Sequence, residues 1–346
     1  MSELESWIKK INKEAGSEII AFGNSEKEYE RIPFSSPRAN YCLYGGIPKY
    51  RLIEFAGLES SGKTTSALDI CKNYQLEEGH KNILFVDVEH TFDEEWAATL
   101  GVNPEEVVVL SPESEGAETV FDIILDSIRT DLFGLIIIDS LAALIPNSVK
   151  EESLEDKKEM GGIAASLTRF SKECVSILKR YKCTVIGINQ LRDDMNNPYN
   201  LYSTPGGKAW KFLCSVRLFF SLGSFINSEG KEVSRSTVDP AGNRVDIKVE
   251  KTKICRKDRR NGFYTLKYLT GIDELTDTID TAVELGFIQS GGAWFTLIDI
   301  DTGEIIPDKK FQGKTKVIEY FKQNTEEYTK LWEAVNNKIC EHRKDI

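Results

Sequence analysis

Apolar and polar positions change rhythm several times along the chain. Residues 1–16 place Leu4, Trp7, Ile8 and Ile11 at helical spacing, with Gly16 as the stop. Residues 18–23 predict a short strand, and residues 24–31 form a polar linker. From 32 to about 265, near-continuous apolar runs alternate with amphipathic ones. The runs at 51–56, 83–88, 107–110, 135–139 and 184–189 predict strands, and the stretches at 66–72, 94–100, 117–129 and 163–181 predict helices. Strands without polar alternation are buried on both faces. The pattern therefore implies an α/β fold with a mostly parallel central sheet covered by helices on both sides. After Lys208 come Val- and Phe-rich strands with turn signals at 228–230 and 241–243. From about 266 a smaller α+β segment begins, with a helix at 279–285, a strand at 293–297 and helices at 314–321 and 325–340. Three parts result: an arm at 1–31, an α/β core at 32–265 and a C-terminal α+β domain at 266–346. The arm is too small to bury much against itself. It packs either on a neighbouring protomer, where its strand would extend a sheet edge, or back on its own core.

Composition narrows the class. The 346 residues are 40% hydrophobic and 29% charged, as in a folded globular protein. No apolar run approaches the roughly 18 residues of a membrane span, and the acidic N-terminus carries no secretory signal. The expectation is a cytoplasmic protein without a membrane partner. Seven cysteines with no C-x-x-C spacing indicate neither a zinc site nor a disulfide scaffold, and fit reduced thiols. A net charge of −11 argues against nucleic-acid binding unless cations are concentrated locally. They are concentrated at 251–260, where six of ten residues are Lys or Arg and only Asp258 is acidic. That run fits phosphates of DNA, or of a nucleotide held by a neighbour, better than it fits a plain solvated face.

The sharpest motif is Gly57-Leu58-Glu59-Ser60-Ser61-Gly62-Lys63-Thr64-Thr65, set between a predicted strand and a predicted helix. In that context a G-x-x-x-x-G-K-T sequence is a phosphate-binding loop. Its glycines allow backbone angles that turn the amides inward, and the helix start adds partial positive charge. Lys63 would reach the terminal phosphates and Thr64 would bind Mg²⁺. Asp139 ends the apolar run 135–138, at the strand end where a parallel sheet delivers ligands, and is the second Mg²⁺ candidate. Asp87, Glu89 and His90 end another strand and compete for the role of base toward water; spacing does not choose among them. Trp96 either stacks on adenine or packs in the core.

Gln190 ends the strand 184–189 and is placed to touch a γ-phosphate. A polar segment, 193–205, follows, with Tyr199 and Tyr202, and then Gly206, Gly207 and Lys208 before a helix. Arg192, aromatics and amides in one loop suit single-stranded nucleic acid, although an ordinary solvated loop has the same composition. A second loop, 147–162, carries Lys150, Lys157, Lys158, Met160 and the pair Gly161-Gly162, with nearly as many acids as bases.

Taken together and in order, these motifs resemble the RecA family of recombinases over most of the chain. The resemblance also rests on Asp87-Val88-Glu89-His90, Ile138-Asp139-Ser140-Leu141, Asn189-Gln190-Leu191-Arg192, Gly206-Gly207-Lys208-Ala209-Trp210 and Gly291-Gly292-Ala293-Trp294-Phe295. It implies a P-loop ATPase core of RecA type and ATP with Mg²⁺ as cofactors. Glu89 becomes the catalytic carboxylate, with Lys63, and Gln190 the γ-phosphate sensor. Glu59, Ser60, Ser61, Gly62, Lys63, Thr64 and Thr65 would hold phosphates, Asp93 and Trp96 adenine, and Thr64 and Asp139 the metal. Met160 and Gly161 fall in one DNA loop. Arg192, Tyr199, Tyr202, Gly206, Gly207 and Lys208 fall in the other. Lys251 and Lys253 would reach a neighbouring protomer's ATP. The arm looks like a polymerisation element, which implies a head-to-tail filament. The implied function is homologous pairing and strand exchange on single- and double-stranded DNA, with single-strand-binding and loader proteins as further partners. Lys208 stands where the family usually has Asn, and the family's acidic tail has no counterpart in 341–346. These departures suit a phage- or plasmid-encoded relative as readily as a housekeeping copy. Two rivals share the core fold. A hexameric helicase is disfavoured by the arm and by the segment 291–295. A low-turnover filament mediator is disfavoured by intact Lys63, Thr64, Glu89 and Asp139.

Overall fold

The computed structural model describes residues 2–16, 20–22, 29–150, 163–193, 202–234, 236 and 239–341. The chain divides into two units, 1–30 and 31–346.

The first unit is built on helix α1, Glu3–Ala15. Ser2 and Glu5 form a reciprocal capping box, with Glu5 N donating to Ser2 Oγ (3.2 Å) and Ser2 N to Glu5 Oε2 (2.9 Å). Gly16 closes the helix at φ 65°. None of its residues is buried, and Leu4 and Trp7 are about half exposed. The strand expected at 18–23 is not formed over its described residues, 20–22. Instead the Asn12 side chain brackets Ile20, donating to its carbonyl (2.8 Å) and accepting from its amide (2.9 Å).

The second unit holds the central sheet. Its strands are β1 (Leu52–Gly57), β2 (Asn82–Asp87), β3 (Val107–Leu110), β4 (Phe133–Asp139), β5 (Thr184–Gln190), β6 (Val216–Ile226), β7 (Gly242–Thr252), β8 (Asn261–Lys267) and β9 (Gly271–Ile272). Their spatial order is β9-β8-β7-β6-β1-β5-β4-β2-β3, with a short strand Glu232–Val233 on β6. From β6 to β3 all pairings are parallel; β7, β8 and β9 add an antiparallel flank. Alternate residues serve opposite layers. Ile53, Phe55, Ile83, Phe85, Leu135 and Ile137 pack under α2 (Lys63–Gln75). Leu52, Leu84, Val86, Ile136 and Ile138 pack under α4 (Ala117–Arg129) and α5 (Ala164–Ile177), the short α3 (Glu94–Thr99) lying between α2 and α4 in sequence. Burial on both faces is the reason these strands lack polar alternation.

Three expectations shift. The turn placed at 241–243 lies earlier, around Asp239 (φ 58°), because Gly242 and Asn243 already pair with Ile226 and Phe225. A Cβ on Gly242 would lie 2.0 Å from Leu266 O, so this glycine serves strand approach rather than a turn. The helix expected to reach 181 ends at Ile177, with Leu178 as its cap, and Lys182 takes φ 49° before β5. The central sheet continues past 265 through β9, and α7 (Glu274–Glu284) opens the C-terminal part. There a three-stranded sheet, β10 (Ile288–Gly291), β11 (Trp294–Ile298) and β12 (Ile305–Gln312), shares a separate apolar cluster with α8 (Lys314–Gln323) and α9 (Thr325–Glu341), after α6 (Gly207–Leu213) has joined the main layer. Among the described residues no helix is long and apolar enough to cross a membrane.

Candidate nucleotide site and its connections

β1, β2, β4 and β5 bring their carboxyl ends to one edge of the sheet, where Gly57 pairs with Gln190 and Asp87 with Asp139. Between β1 and α2 the chain makes the tight loop 58–62, with Ser60 at φ 56° and Gly62 at φ 90°. Gly62 caps α2, and no side chain caps the helix start, so the loop and first-turn amides stay available for an anion. A Cβ on Gly62 would sit 2.9 Å from both Val245 methyls; the loop is pressed against β7 and only glycine fits.

Lys63 folds its ammonium over the loop, donating to Leu58 O (2.6 Å) and Ser61 Oγ (3.4 Å). Burial pulls its pKa below the ordinary lysine value, and the nearby Asp139 carboxylate opposes that fall. Thr64 Oγ1 donates to Asp139 Oδ2 (2.6 Å), joining the two metal candidates. Asp139 is buried, and that burial pushes its pKa up to about 6. A hydroxyl beside one carboxylate, with room for phosphate oxygens and water, is the hard-oxygen set that suits Mg²⁺. Among the described residues no group of three His, Cys, Asp or Glu could hold a metal by itself.

The three rivals for the base separate. Asp87 is buried and accepts from Thr91 N (2.9 Å) and Phe92 N (3.0 Å), which commits it to the turn after β2. His90 is exposed at φ 54°. Glu89 faces across the sheet edge, accepting from Ser140 Oγ and from Gln190 Nε2 (3.1 Å). Glu59 and Ser60 are exposed, Ser61 is buried and Thr65 half-buried, and Ser60, Ser61 and Thr65 line the cavity beside Lys63.

A cavity of about 420 Å³ opens beside Lys63, Thr64 and Thr65, with Leu222, Phe225, Val245, Leu266 and Tyr268 on its far wall. Asp93 and Trp96 do not line it. Asp93 caps α3 by accepting from Trp96 N (2.9 Å), and the Trp96 ring packs, partly buried, on the core layer under α2.

The basic run disperses. Lys251 Nζ donates to Lys211 O (2.7 Å) and Phe212 O (2.8 Å), and Lys253 Nζ to Phe212 O (2.7 Å), so both cap the C-terminus of α6. Burial, then the Lys253 charge, lowers the pKa of Lys251. Lys257 donates to Glu250 O, and Arg259 lies between the rings of Tyr41 (4.2 Å) and Tyr44 (4.0 Å).

Met160, Gly161 and Tyr199 lie outside the described residues, as does the Tyr202 side chain. The Tyr202 backbone pairs with Asp193 in a two-residue ladder beside exposed Arg192. Gly206 starts α6 at φ 99°, where a Cβ would meet Leu167 Cδ2 at 2.4 Å; Gly207 follows at φ 76° and Lys208 is exposed. Sequence reasoning passed over Ser140, Tyr268 and Glu54. Only Glu54 carried a signal, as the one charge inside an apolar strand.

A family model described as the RecA N-terminal domain matches residues 2–273. The chain is 33% identical over 342 residues to Protein RecA of Malacoplasma penetrans, covering 99% of this chain and 97% of that one. It is 33% identical over 305 residues to Protein RecA of Ruminococcus albus, covering 87% and 73%. With Protein RecA of Streptomyces ambofaciens it shares 32% over 340 residues, covering 97% and 86%.

Proposed function

Since the chain belongs to the RecA family, whose members are P-loop ATPases acting in DNA recombination and repair, we propose that it polymerises on single-stranded DNA and exchanges strands with a homologous duplex. The observation that carries this reading is the Gln190 side chain. It spans from β5 to Glu89 at the nucleotide edge and stands immediately before the segment 191–205.

ATP with Mg²⁺ supplies the negative charge and the scissile phosphoryl group. The amides of residues 59–65 would hold its phosphates, and Lys63 would exchange Leu58 O for phosphate oxygen. Thr64 and Asp139 would hold the metal, in part through water. The cavity wall at Phe225 and Tyr268 offers apolar contact to a base; Asp93 and Trp96 are the rival surface. Glu89 would take a proton from the attacking water. Gln190, released from Glu89, would donate its amide to the γ-phosphate and shift the loop after β5 toward a DNA-binding arrangement; hydrolysis would reverse this. Met160, Gly161, Arg192, Tyr199, Tyr202, Gly206, Gly207 and Lys208 are the proposed DNA contacts, and base pairing supplies sequence recognition. Lys251 and Lys253 would leave the end of α6 for a neighbour's nucleotide. Among the described residues β3 pairs only with β2 and exposes Val108 and Val109, an edge open to a strand from another copy. The apolar residues of α1 suit the same head-to-tail assembly. Single-strand-binding and loader proteins would be partners of that filament in the cytoplasm.

Electron microscopy with single-stranded DNA and a non-hydrolysable ATP analogue tests this reading. Helical filaments are expected. Closed hexameric rings would favour a helicase, and free monomers on DNA would refute the assembly.

A further inference from the structure

Glu54 stands behind the nucleotide edge, three residues before Gly57 in β1, and is fully buried. Its carboxylate is shared among three other elements. Oε1 accepts from Asn189 Nδ2 at the end of β5 (3.0 Å) and from Trp210 Nε1 in α6 (3.0 Å). Oε2 accepts from Arg217 Nε in β6. Two of these partners reach further. Asn189 Nδ2 also donates to Pro205 O (3.0 Å), and Arg217 Nη2 to Thr204 Oγ1 (3.3 Å). The departing stem of the segment 191–203 and its returning stem are therefore tied to one carboxylate.

The neighbouring packing is cut to fit. Gly187 pairs with Glu54 across β1 and β5. A Cβ on Gly187 would sit 2.6 Å from Trp210 Cζ2 and 2.7 Å from Leu141 Cδ1. The missing side chain lets the indole lie against β5 two residues before Asn189 and present Nε1 to Glu54. Leu141, on the same glycine, closely follows Asp139.

A buried Glu–Arg pair is no better for stability than a well-packed apolar core. What a fully satisfied buried network supplies is one fixed arrangement of the elements it joins. Here those elements are the strand that feeds the phosphate loop, the strand that carries Gln190, and the helix that ends the loop beyond it.

The geometry points to Glu54 as a positioning residue that locks Gln190 and both stems of the segment 191–205 into one register, so that displacement of Gln190 is transmitted to both stems. This rests on the proposed reading of Gln190 and of that loop. Glu54 is fully buried and does not line the cavity beside Lys63. With the Asn189 amide held on both Glu54 and Pro205, a shift at the end of β5 passes to Thr204, Pro205 and α6 instead of being absorbed by one flexible side chain.

Two variants test the role. Trp210→Phe keeps an aromatic ring over Gly187 and removes one donor; Glu54→Gln keeps the shape and removes the charge facing Arg217. Each is compared with wild type for unfolding midpoint, for DNA-free ATP turnover and KM, for turnover with saturating single-stranded DNA, and for the ratio of DNA affinities with an ATP analogue and with ADP. The expected result is DNA-free turnover and KM within about twofold of wild type, while stimulation and the affinity ratio each fall about tenfold or more. Wild-type stimulation and ratio in both variants would overturn the proposal. So would a lowered midpoint with DNA-free and DNA-stimulated turnover falling in step, which marks a structural role only. A wild-type chain that DNA does not stimulate would instead refute the loop reading, and the coupling with it.

Discussion

The phosphate loop at 57–65 and the basic run at 251–260 are both short, dense and chemically distinctive, yet the fold treats them in opposite ways. The loop converges. Gly57 and Gly62 are pressed against Phe220, Ser61 and Val245, and Lys63 and Thr64 are aimed inward at Leu58 O and Asp139. The basic run scatters. Two lysines cap α6, one bonds a strand carbonyl, and Arg259 is clamped by two tyrosines and bonded to Ile339 O (3.1 Å), which ties the core to α9. A motif whose constraint lies in the backbone carries its geometry with it. A motif defined by charge alone takes whatever directions the strand and turn beneath it impose.

The contrast is open to attack, first at the loop. Lys63→Ala should abolish ATP turnover, roughly 10³-fold, without a change in circular dichroism, because it removes a preorganised cation where charge develops. Glu89→Gln should lower turnover about 10²-fold while nucleotide binding, followed by a fluorescent analogue, persists. Equal loss of binding and turnover in Glu89→Gln would move Glu89 from catalysis to binding.

A pH series sharpens the comparison. Burial sets the Asp139 pKa at about 6. Metal coordination requires the carboxylate, so Mg²⁺-dependent nucleotide affinity should be flat above pH 7 and fall about tenfold per pH unit well below 6. In the chain without nucleotide the sign reverses. A carboxyl whose folded pKa lies above its unfolded value favours the fold when protonated, so that contribution is lost as pH rises from about 4 through 6. Arg259→Ala should give the smallest functional change, turnover within about twofold, and a stability loss of about 1–2 kcal/mol from its two ring contacts in thermal unfolding.

Much of the core was legible because its cause is local. The strands are apolar at every position over 83–86 and 135–138 since helices cover both faces, and the loop at 57–65 is specified by its own glycines. Asp139 was legible for the same reason, as a polar residue ending an apolar run. What stayed hidden depends on groups distant in sequence. Nothing near Asp87 reveals that the amides of Thr91 and Phe92 occupy it, leaving Glu89 to face Gln190. Nothing near Tyr268 announces a wall of the cavity beside Lys63. The strand at 18–23 read as β from its apolar residues, but a strand needs a partner edge, and at Ile20 the Asn12 side chain supplies the backbone hydrogen bonds instead.

The central claim is that a nucleotide held at the loop governs a contact with DNA through Gln190. Its most direct test is steady-state ATP turnover by the full chain with and without single-stranded DNA over a salt series. The account predicts stimulation by DNA that declines steeply as salt rises, because the contacts are to phosphates, and the loss of that stimulation in Gln190→Ala. Turnover indifferent to DNA at every salt concentration, or stimulation that survives Gln190→Ala unchanged, would contradict it.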